Sequence, residues 1–463
     1  MRLTWVQPED LLPHQLIQSR AEGVAITDVE SRWTTAGGSL EAPVSGATDL
    51  PATPELRTLA KQLMDELDTR TPPWQPPTIP TTPLLGEAHG LEKQKTGEPG
   101  TETPSSREAV GLSRQSVGGA RGFEQRVLDA WLGRMAGNLL GKPVEKISRV
   151  GIREILESSG QWPLSEYITA VGVPGEVVER WPWNRRSQVN SLREVIDGMP
   201  EDDDINFAIL ALLMLERFGR GLTTEDVAQS WLNDLPAGRV FTAERVAYRN
   251  LLQGVEPEQA ATTGNPFREW IGAQIRTDVY GWVNPGDRTA AAQLALTDAR
   301  LSHTGAGVDG ALWVAAMSAA AMVLDDPVEA ALAGLEVIGD GELKRAVRFG
   351  LDLADLELDE ALDRLHAEYG HLHWVHAVNN SALAGYALTA PDFATAVGRA
   401  VMGGWDTDSV GATVGAVFGA TRGVPAEWCA PLDNRVATSL PGMNQIAIDE
   451  LAARTVEVAG GAA

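Results

Sequence analysis

Asp202-Asp203-Asp204-Ile205-Asn206-Phe207-Ala208-Ile209-Leu210-Ala211-Leu212-Leu213-Met214-Leu215 sets three carboxylates directly in front of a run with almost no polar face. A helix of that kind belongs in the interior. Its acidic mouth is therefore held where bringing like charges together is expensive. A second stretch repeats the pattern: Gly403-Gly404-Trp405-Asp406-Thr407-Asp408-Ser409 runs into 410–420, which carries no charge. An acidic residue at a helix N-terminus is favourable by roughly 0.3–1 kcal/mol, which accounts for one aspartate but not for three that repel one another. Together the clusters offer five carboxylates and two hydroxyls. Hard oxygens in that number suit one or two magnesium or manganese ions, so a buried metal site is the first expectation.

Outward from these stretches the chain reads as helix after helix. Apolar periodicity predicts helices at 123–140, 205–217, 224–235, 241–253, 289–301, 310–324, 327–338, 342–354, 360–368, 377–388, 393–402, 410–420 and 426–436. No alternating run is long enough for a central sheet. The predicted fold class is all-α, a single large orthogonal helical domain over 122–455. Residues 1–70 read as a small N-terminal segment with one amphipathic helix at 54–69, striped by Leu56, Leu59, Leu63 and Leu67. The Pro/Thr/Gly-rich stretch 71–121 reads as a disordered linker, and 459–463 is expected to fray. Glycine recurs every fourth residue at Gly133, Gly137 and Gly141 and again at Gly411, Gly415 and Gly419. Each helical glycine costs about 1 kcal/mol against alanine, so the rows predict two helix faces stripped for close approach, meeting near the metal site.

Composition narrows the function. The chain has 463 residues, 43% of them hydrophobic, so a sizeable core is expected. A net charge of −25 argues against partners that need basic surface, namely nucleic acid and anionic membranes. Cys429 stands alone, so neither an intrachain disulfide nor a thiolate zinc site is expected. The longest uncharged apolar stretch, 310–324, is too short to span a bilayer, and residues 1–10 lack the apolar run of a signal peptide. The expectation is a soluble cytoplasmic protein. The oligomeric state is not legible.

Four segments in order carry a resemblance. Gly133-Arg134-Met135-Ala136-Gly137-Asn138-Leu139-Leu140-Gly141-Lys142-Pro143-Val144-Glu145 resembles the first signature of the ADP-ribosylglycohydrolase family. Pro200-Glu201-Asp202-Asp203-Asp204-Ile205-Asn206 resembles its second, and Gly403 to Ala412 its last. Between them, Ser302-His303-Thr304-Gly305-Ala306-Gly307-Val308-Asp309-Gly310-Ala311 is similar to the family's Thr/Ser-His segment. The resemblance covers about 123–453 and points to a divergent bacterial-type branch.

The resemblance implies an all-α fold around two Mg2+ or Mn2+ ions. It implies hydrolysis of the glycosidic bond at the distal ribose of an ADP-ribosylated substrate or ADP-ribose derivative. By motif position, Asp202, Asp203 and Asp204 would ligate one metal with Asp408; Asp406 and Ser409 would complete the second, with Asp408 bridging. Glu145 falls at the family's mobile catalytic or ligating glutamate, and Glu145, Asp203 and Asp406 are the expected catalytic carboxylates. Three positions depart from the common pattern: Asp202 and Ser409 stand where many members have Thr, and Asn138 where many have Asp. Asp202 adds a charge that would tighten metal binding, and Asn138 bears on substrate choice.

The expected substrate-binding set is Asn138, Gln274, Arg276, Tyr280, His303, Gly305, Gly307 and Trp405. Arg276 is read as facing phosphate, Tyr280 as stacking, and the loop 305–310 as cradling a diphosphate with backbone amides before a helix that opens at Gly310. That loop matches a dinucleotide fingerprint by letter but follows a helix, which argues against a Rossmann unit. Trp181, Trp183, Asn184, Arg185, Arg186 and Arg193 read as a substrate lid. His371, His373 and His376 lack the spacing of a zinc site. Two other classes stay open beside the hydrolase: a non-catalytic ADP-ribose or nucleotide reader, and a hydrolase of another ribosyl nucleoside or nucleotide.

Overall fold

The computed structural model describes residues 3–48, 50–86, 121–184 and 187–461. The described residues are mostly helical, 61% helix against 2% strand, as the absence of alternating runs predicted. The helices that position the site are α1 (Pro8–Ala21), α2 (Thr27–Thr35), α3 (Pro54–Arg70), α4 (Phe123–Gly141), α5 (Asp203–Phe218), α6 (Thr242–Leu252), α7 (Gly305–Ala321), α8 (Ala377–Leu388) and α9 (Thr407–Arg422). Strand is represented by a short antiparallel pair, Arg435–Val436 with Ile446–Ala447.

The two glycine rows lock α4 and α9 together antiparallel. A Cβ on Gly133 would overlap the carbonyl oxygen of Gly415, one on Gly137 that of Gly411, and one on Gly141 that of Thr407. The reciprocal overlaps hold for Gly411 and Gly415. With backbone against backbone, the C-terminal end of α4 lies beside the N-terminal end of α9. The first and last acidic motifs therefore meet through a contact that only glycine permits. The α5 run 205–212 is wholly buried, which brings the remaining acidic motif to the same interior point.

Several elements differ from the sequence expectation. Residues up to 70 form three helices, α1 to α3, where the pattern predicted one. The first escapes because α1 is buried on most of its surface, polar residues included, leaving no apolar stripe to read, and the second because α2 buries only Val29 and Trp33. Trp5, Leu12, Val29, Trp33 and Leu63 belong to the same hydrophobic cluster as the rest of the chain. Charged contacts reinforce this: Arg268 pairs with Glu22 at 2.5 Å, and the Gly264 N–H donates to Asp68 Oδ2 at 2.6 Å. Residues 71–86 also lie along the domain, with Thr82 N–H donating to Thr289 Oγ1 at 2.9 Å and Leu85 N–H to the Gly286 carbonyl at 3.2 Å. The rest of the expected linker, 87–120, lies outside the described residues. Helix Ile448–Gly460 continues past the expected fraying point at 459. No helix among the described residues is long and apolar enough to cross a membrane.

Candidate metal centre and cavity

Asp202 is the N-cap of α5, its Oδ1 accepting from the Asp204 N–H at 3.0 Å. This cap turns Asp203 and Asp204 into the first helical turn. At the other cluster, Gly404 (φ 73°) and Trp405 (φ 62°) make a left-handed turn that swings the chain into α9. A tryptophan in that region is strained. It is held by stacking on His366 at 4.3 Å and 22°, while His366 Nε2 reaches the Gly403 carbonyl at 2.8 Å. The Asp406 N–H is fixed by Asn380 Oδ1 at 3.1 Å.

The result is a buried acidic triad. Ligand oxygens of Asp202, Asp204 and Asp408 all lie within 4.8 Å of one another. Asn138 holds two of them from behind, its Nδ2 donating to Asp202 Oδ1 at 3.1 Å and Asp204 Oδ2 at 2.9 Å. Ser409 Oγ donates to Asp204 Oδ1 at 3.4 Å. Burial, then the charges of Asp202 and Asp408, push the Asp204 carboxyl well above the usual range. Asp203 and Asp406 are raised by burial and by neighbouring carboxylates in the same way. Burial followed by Glu145 and Asp202 lifts Asp408 to about 7. Asp204 and Asp408 resist ionisation within this close-set group of hard oxygens, and a divalent cation would offset the charge that burial disfavours. The residues fit such an ion, and the triad could hold a metal.

Asp202 behaves differently from its neighbours. Lys142 Nζ makes a buried ion pair with its Oδ2. Burial alone would raise Asp202, but the Lys142 ammonium and hydrogen bonds from Lys142, Asn138 and Asp204 hold it below the ordinary value. Burial likewise opposes the Lys142 ammonium, and Asp202 and Asp408 outweigh it and raise the lysine's pKa. The extra charge of Asp202, expected to tighten metal binding, is thus answered from within the protein. Lys142 follows Asn138 by four residues at a helix end, so i,i+4 spacing was the signal that could have found it.

The triad opens on a cavity of about 620 Å³. Glu145, Asp202, Asp203, Asp204, Asp406, Asp408 and Ser409 all line it. Glu145 is half-buried, with Asn184 Nδ2 donating to its Oε2 at 2.6 Å and Lys146 Nζ 3.2 Å from its Oε1. The metal and catalytic sets of the sequence reading are therefore brought together.

The substrate set lies elsewhere. Arg276 is buried in a closed network: its Nε donates to Asp298 Oδ1 at 2.9 Å, Nη1 to Glu244 Oε1 at 2.6 Å and Nη2 to Ser302 Oγ at 2.9 Å. Tyr280 donates to Asp298 Oδ2 at 2.6 Å within the same network. Neither has a free face for phosphate or base. His303 shares a 2.8 Å hydrogen bond with Ser302 Oγ, and burial pushes its pKa well below the ordinary value. Gln274 accepts from Ser381 Oγ at 3.0 Å in the interior. Gly305 and Gly307 belong to α7 itself, which starts five residues before the expected opening at Gly310. A Cβ on Gly305 would overlap the Glu269 carboxylate, and one on Gly307 would sit 2.6 Å from the Arg268 carbonyl oxygen. These glycines therefore serve packing. Asn138 supports the carboxylates and Trp405 supports the turn before Asp406. Of the lid residues, Asn184 lines the cavity, Trp181 donates to Glu154, Arg193 pairs with Glu166, and Arg185 and Arg186 lie outside the described residues. His373 stacks on Trp270 at 4.2 Å, and His376 Nδ1 accepts from the Val378 N–H at the start of α8.

The cavity has further walls that the sequence reading missed, among them Glu244, Phe241, Trp374 and, from the N-terminal segment, Thr4, Trp5 and Ser45. No local pattern marks them, because they meet only through contacts hundreds of residues apart.

The sequence model of the family described as ADP-ribosylglycohydrolase matches residues 120–461. An uncharacterized protein of Archaeoglobus fulgidus is 26% identical over 319 residues, which cover 68% of this chain and 93% of that protein. A solved structure titled "ADP-ribosylglycohydrolase-related protein complex" is similar with a TM-score of 0.45 at 22% identity, over 73% of this chain and 98% of that one.

Proposed function

The chain belongs to the ADP-ribosylglycohydrolase family, and from that premise we propose that it is a metal-dependent hydrolase cleaving the glycosidic bond at the distal ribose of an ADP-ribosylated substrate or ADP-ribose derivative. The observation that carries the reading is the buried acidic triad opening on the cavity. Oxygen donors of this kind suit Mg2+ or Mn2+, and the family pattern favours two ions. Asp202, Asp203, Asp204 and Asp408 would hold one; Asp406, Asp408 and Ser409 would hold the other. Bound there, the ions would supply Lewis acidity and a water of lowered pKa.

The protein's own groups supply the rest. Glu145 is held at the cavity wall by Asn184 and Lys146, where its carboxylate can accept a proton from a water attacking the anomeric carbon. Asp203 and Asp406 project into the same cavity, orienting the reacting ribose and offsetting charge at an oxocarbenium-like carbon. The test is turnover of ADP-ribosylated substrates by the metal-loaded protein and by E145Q. We expect E145Q to lose about 10²–10⁴-fold in kcat, the range of a general base, while still binding ADP-ribose. Full activity in E145Q would remove the glutamate from the reaction. Binding without turnover in the unaltered protein would make it a reader.

A further inference from the structure

The cavity lining combines two chemistries: the carboxylate cluster and, as a second wall, the apolar and aromatic side chains of Trp5, Phe241, Ile271, Trp374 and Val375. Part of this second wall comes from outside the family match, which begins at residue 120. Trp5 is clamped edge-on against Phe267 at 5.3 Å and 88° and against Trp270 at 5.7 Å and 84°. Its backbone N–H donates to the Gly46 carbonyl at 2.7 Å. Arg245 Nη1, from α6, donates to the Thr4 carbonyl at 3.0 Å and to Thr4 Oγ1 at 2.9 Å. Trp374 Nε1 donates to the Val44 carbonyl at 3.2 Å, which ties the half-buried indole to the turn carrying Ser45. The wall is built under strain: Trp5 sits at φ 63° and Thr242 at φ 40°, conformations that bulky and β-branched residues hold only where the surroundings impose them.

An ADP-ribosyl group combines the same two chemistries, a ribose rich in hydroxyls and a planar base. From this match we propose that Trp374 and the N-terminal residues Thr4, Trp5 and Ser45 form a nucleobase subsite, so that the segment before the family domain sets specificity for nucleotide-bearing substrates over bare ribosyl ones. The inference rests on the ADP-ribosyl reading above and adds to it where the base is held and by which part of the chain. Stacking on the indole supplies affinity without fixing the base identity. Ser45 is exposed at the rim, where a larger side chain would narrow the cavity.

Calorimetry on the full chain with Mg2+ tests this, using ADP-ribose and ribose 5-phosphate as probes. Trp374→Ala is expected to weaken ADP-ribose about tenfold, the scale of one lost base stack, and to leave ribose 5-phosphate within about twofold. Trp374→Phe keeps an aromatic face and should restore most of the ADP-ribose affinity. Ser45→Trp, at an exposed position on the cavity wall, should also weaken ADP-ribose selectively. Equal losses for both probes, or no loss for either, overturn the subsite while leaving the hydrolase reading intact. Failure of the unaltered protein to bind either probe overturns both.

Discussion

Lys142 carries a positive charge into a cluster of buried carboxylates, and this distinguishes the site from a bare acidic cage. Replacing it with methionine leaves Asp202 unpaired, which should destabilise the metal-free protein by about 3–5 kcal/mol. The same change frees negative charge for a cation. A unit charge a few ångströms away is worth ~1–4 kcal/mol between water and a protein surface, so Mn2+ affinity should rise at least about fivefold. Calorimetric titration beside a thermal melt measures both; unchanged Mn2+ affinity would mean that Lys142 plays no part in the site's charge. Asp408 gives a pH signature. Its pKa of about 7 in the fold stands against an ordinary 3.8, so the metal-free fold holds this proton more tightly than the unfolded chain does. The stability it contributes is complete below the ordinary value and is lost as pH rises through about 7. Metal-free protein should therefore melt at lower temperature at about pH 8 than at pH 5, while cation affinity rises over the same window as the proton is displaced. A flat melting profile would show that Asp408 does not titrate there. The carboxylates themselves were legible in the sequence because charge in front of an apolar helix is anomalous. The partners of Arg276 and Tyr280 were not, since an arginine looks the same in a string of letters whether it faces a phosphate or Asp298.

Helix α4 against α9 is the element on which the site depends. Gly→Ala in a helix interior ordinarily gains about 1 kcal/mol, but at Gly137 the added methyl would meet the Gly411 carbonyl oxygen. Overpacking costs typically about 1–3 kcal/mol, and here the obstacle is backbone, which cannot turn aside. Gly137→Ala is expected to destabilise, and to weaken metal binding by separating the ends of the two helices. A melt and a Mn2+ titration check this, and a stabilised variant with intact binding would show that the helices do not need the close approach. The glycine rows made this pairing readable in advance, because their period of four marks one helix face. The turn at Gly404 and Trp405 was only half readable: the glycines signalled it, but the stacking of His366 beneath Trp405 comes from a distant helix. The start of α7 was misplaced for a related reason. Glycine suggests a loop when read locally, whereas Gly305 and Gly307 admit the neighbouring chain at 268–269 into contact with the helix.

Across the whole molecule, the N-terminal segment is part of the same core as the family domain and reaches its cavity. Sequence periodicity assigned that segment a single helix, because α1 is buried on most sides and α2 buries only Val29 and Trp33, so neither shows a stripe, and contacts such as Arg245 to Thr4 span 241 residues. Metal binding should act on this entire unit. An ion at a hundred times its dissociation constant stabilises the fold by about 2.7 kcal/mol, so chelation should lower the melting temperature and re-addition of Mg2+ or Mn2+ should restore it. The most direct measurement is release of product from ADP-ribosylated substrates by the purified full chain, loaded with Mg2+ or Mn2+, in chelator, and as Asp408→Asn. Turnover should require the metal and be lost in Asp408→Asn. A protein that binds the metal and cleaves none of these substrates, or one that cleaves them equally well in chelator, would contradict this.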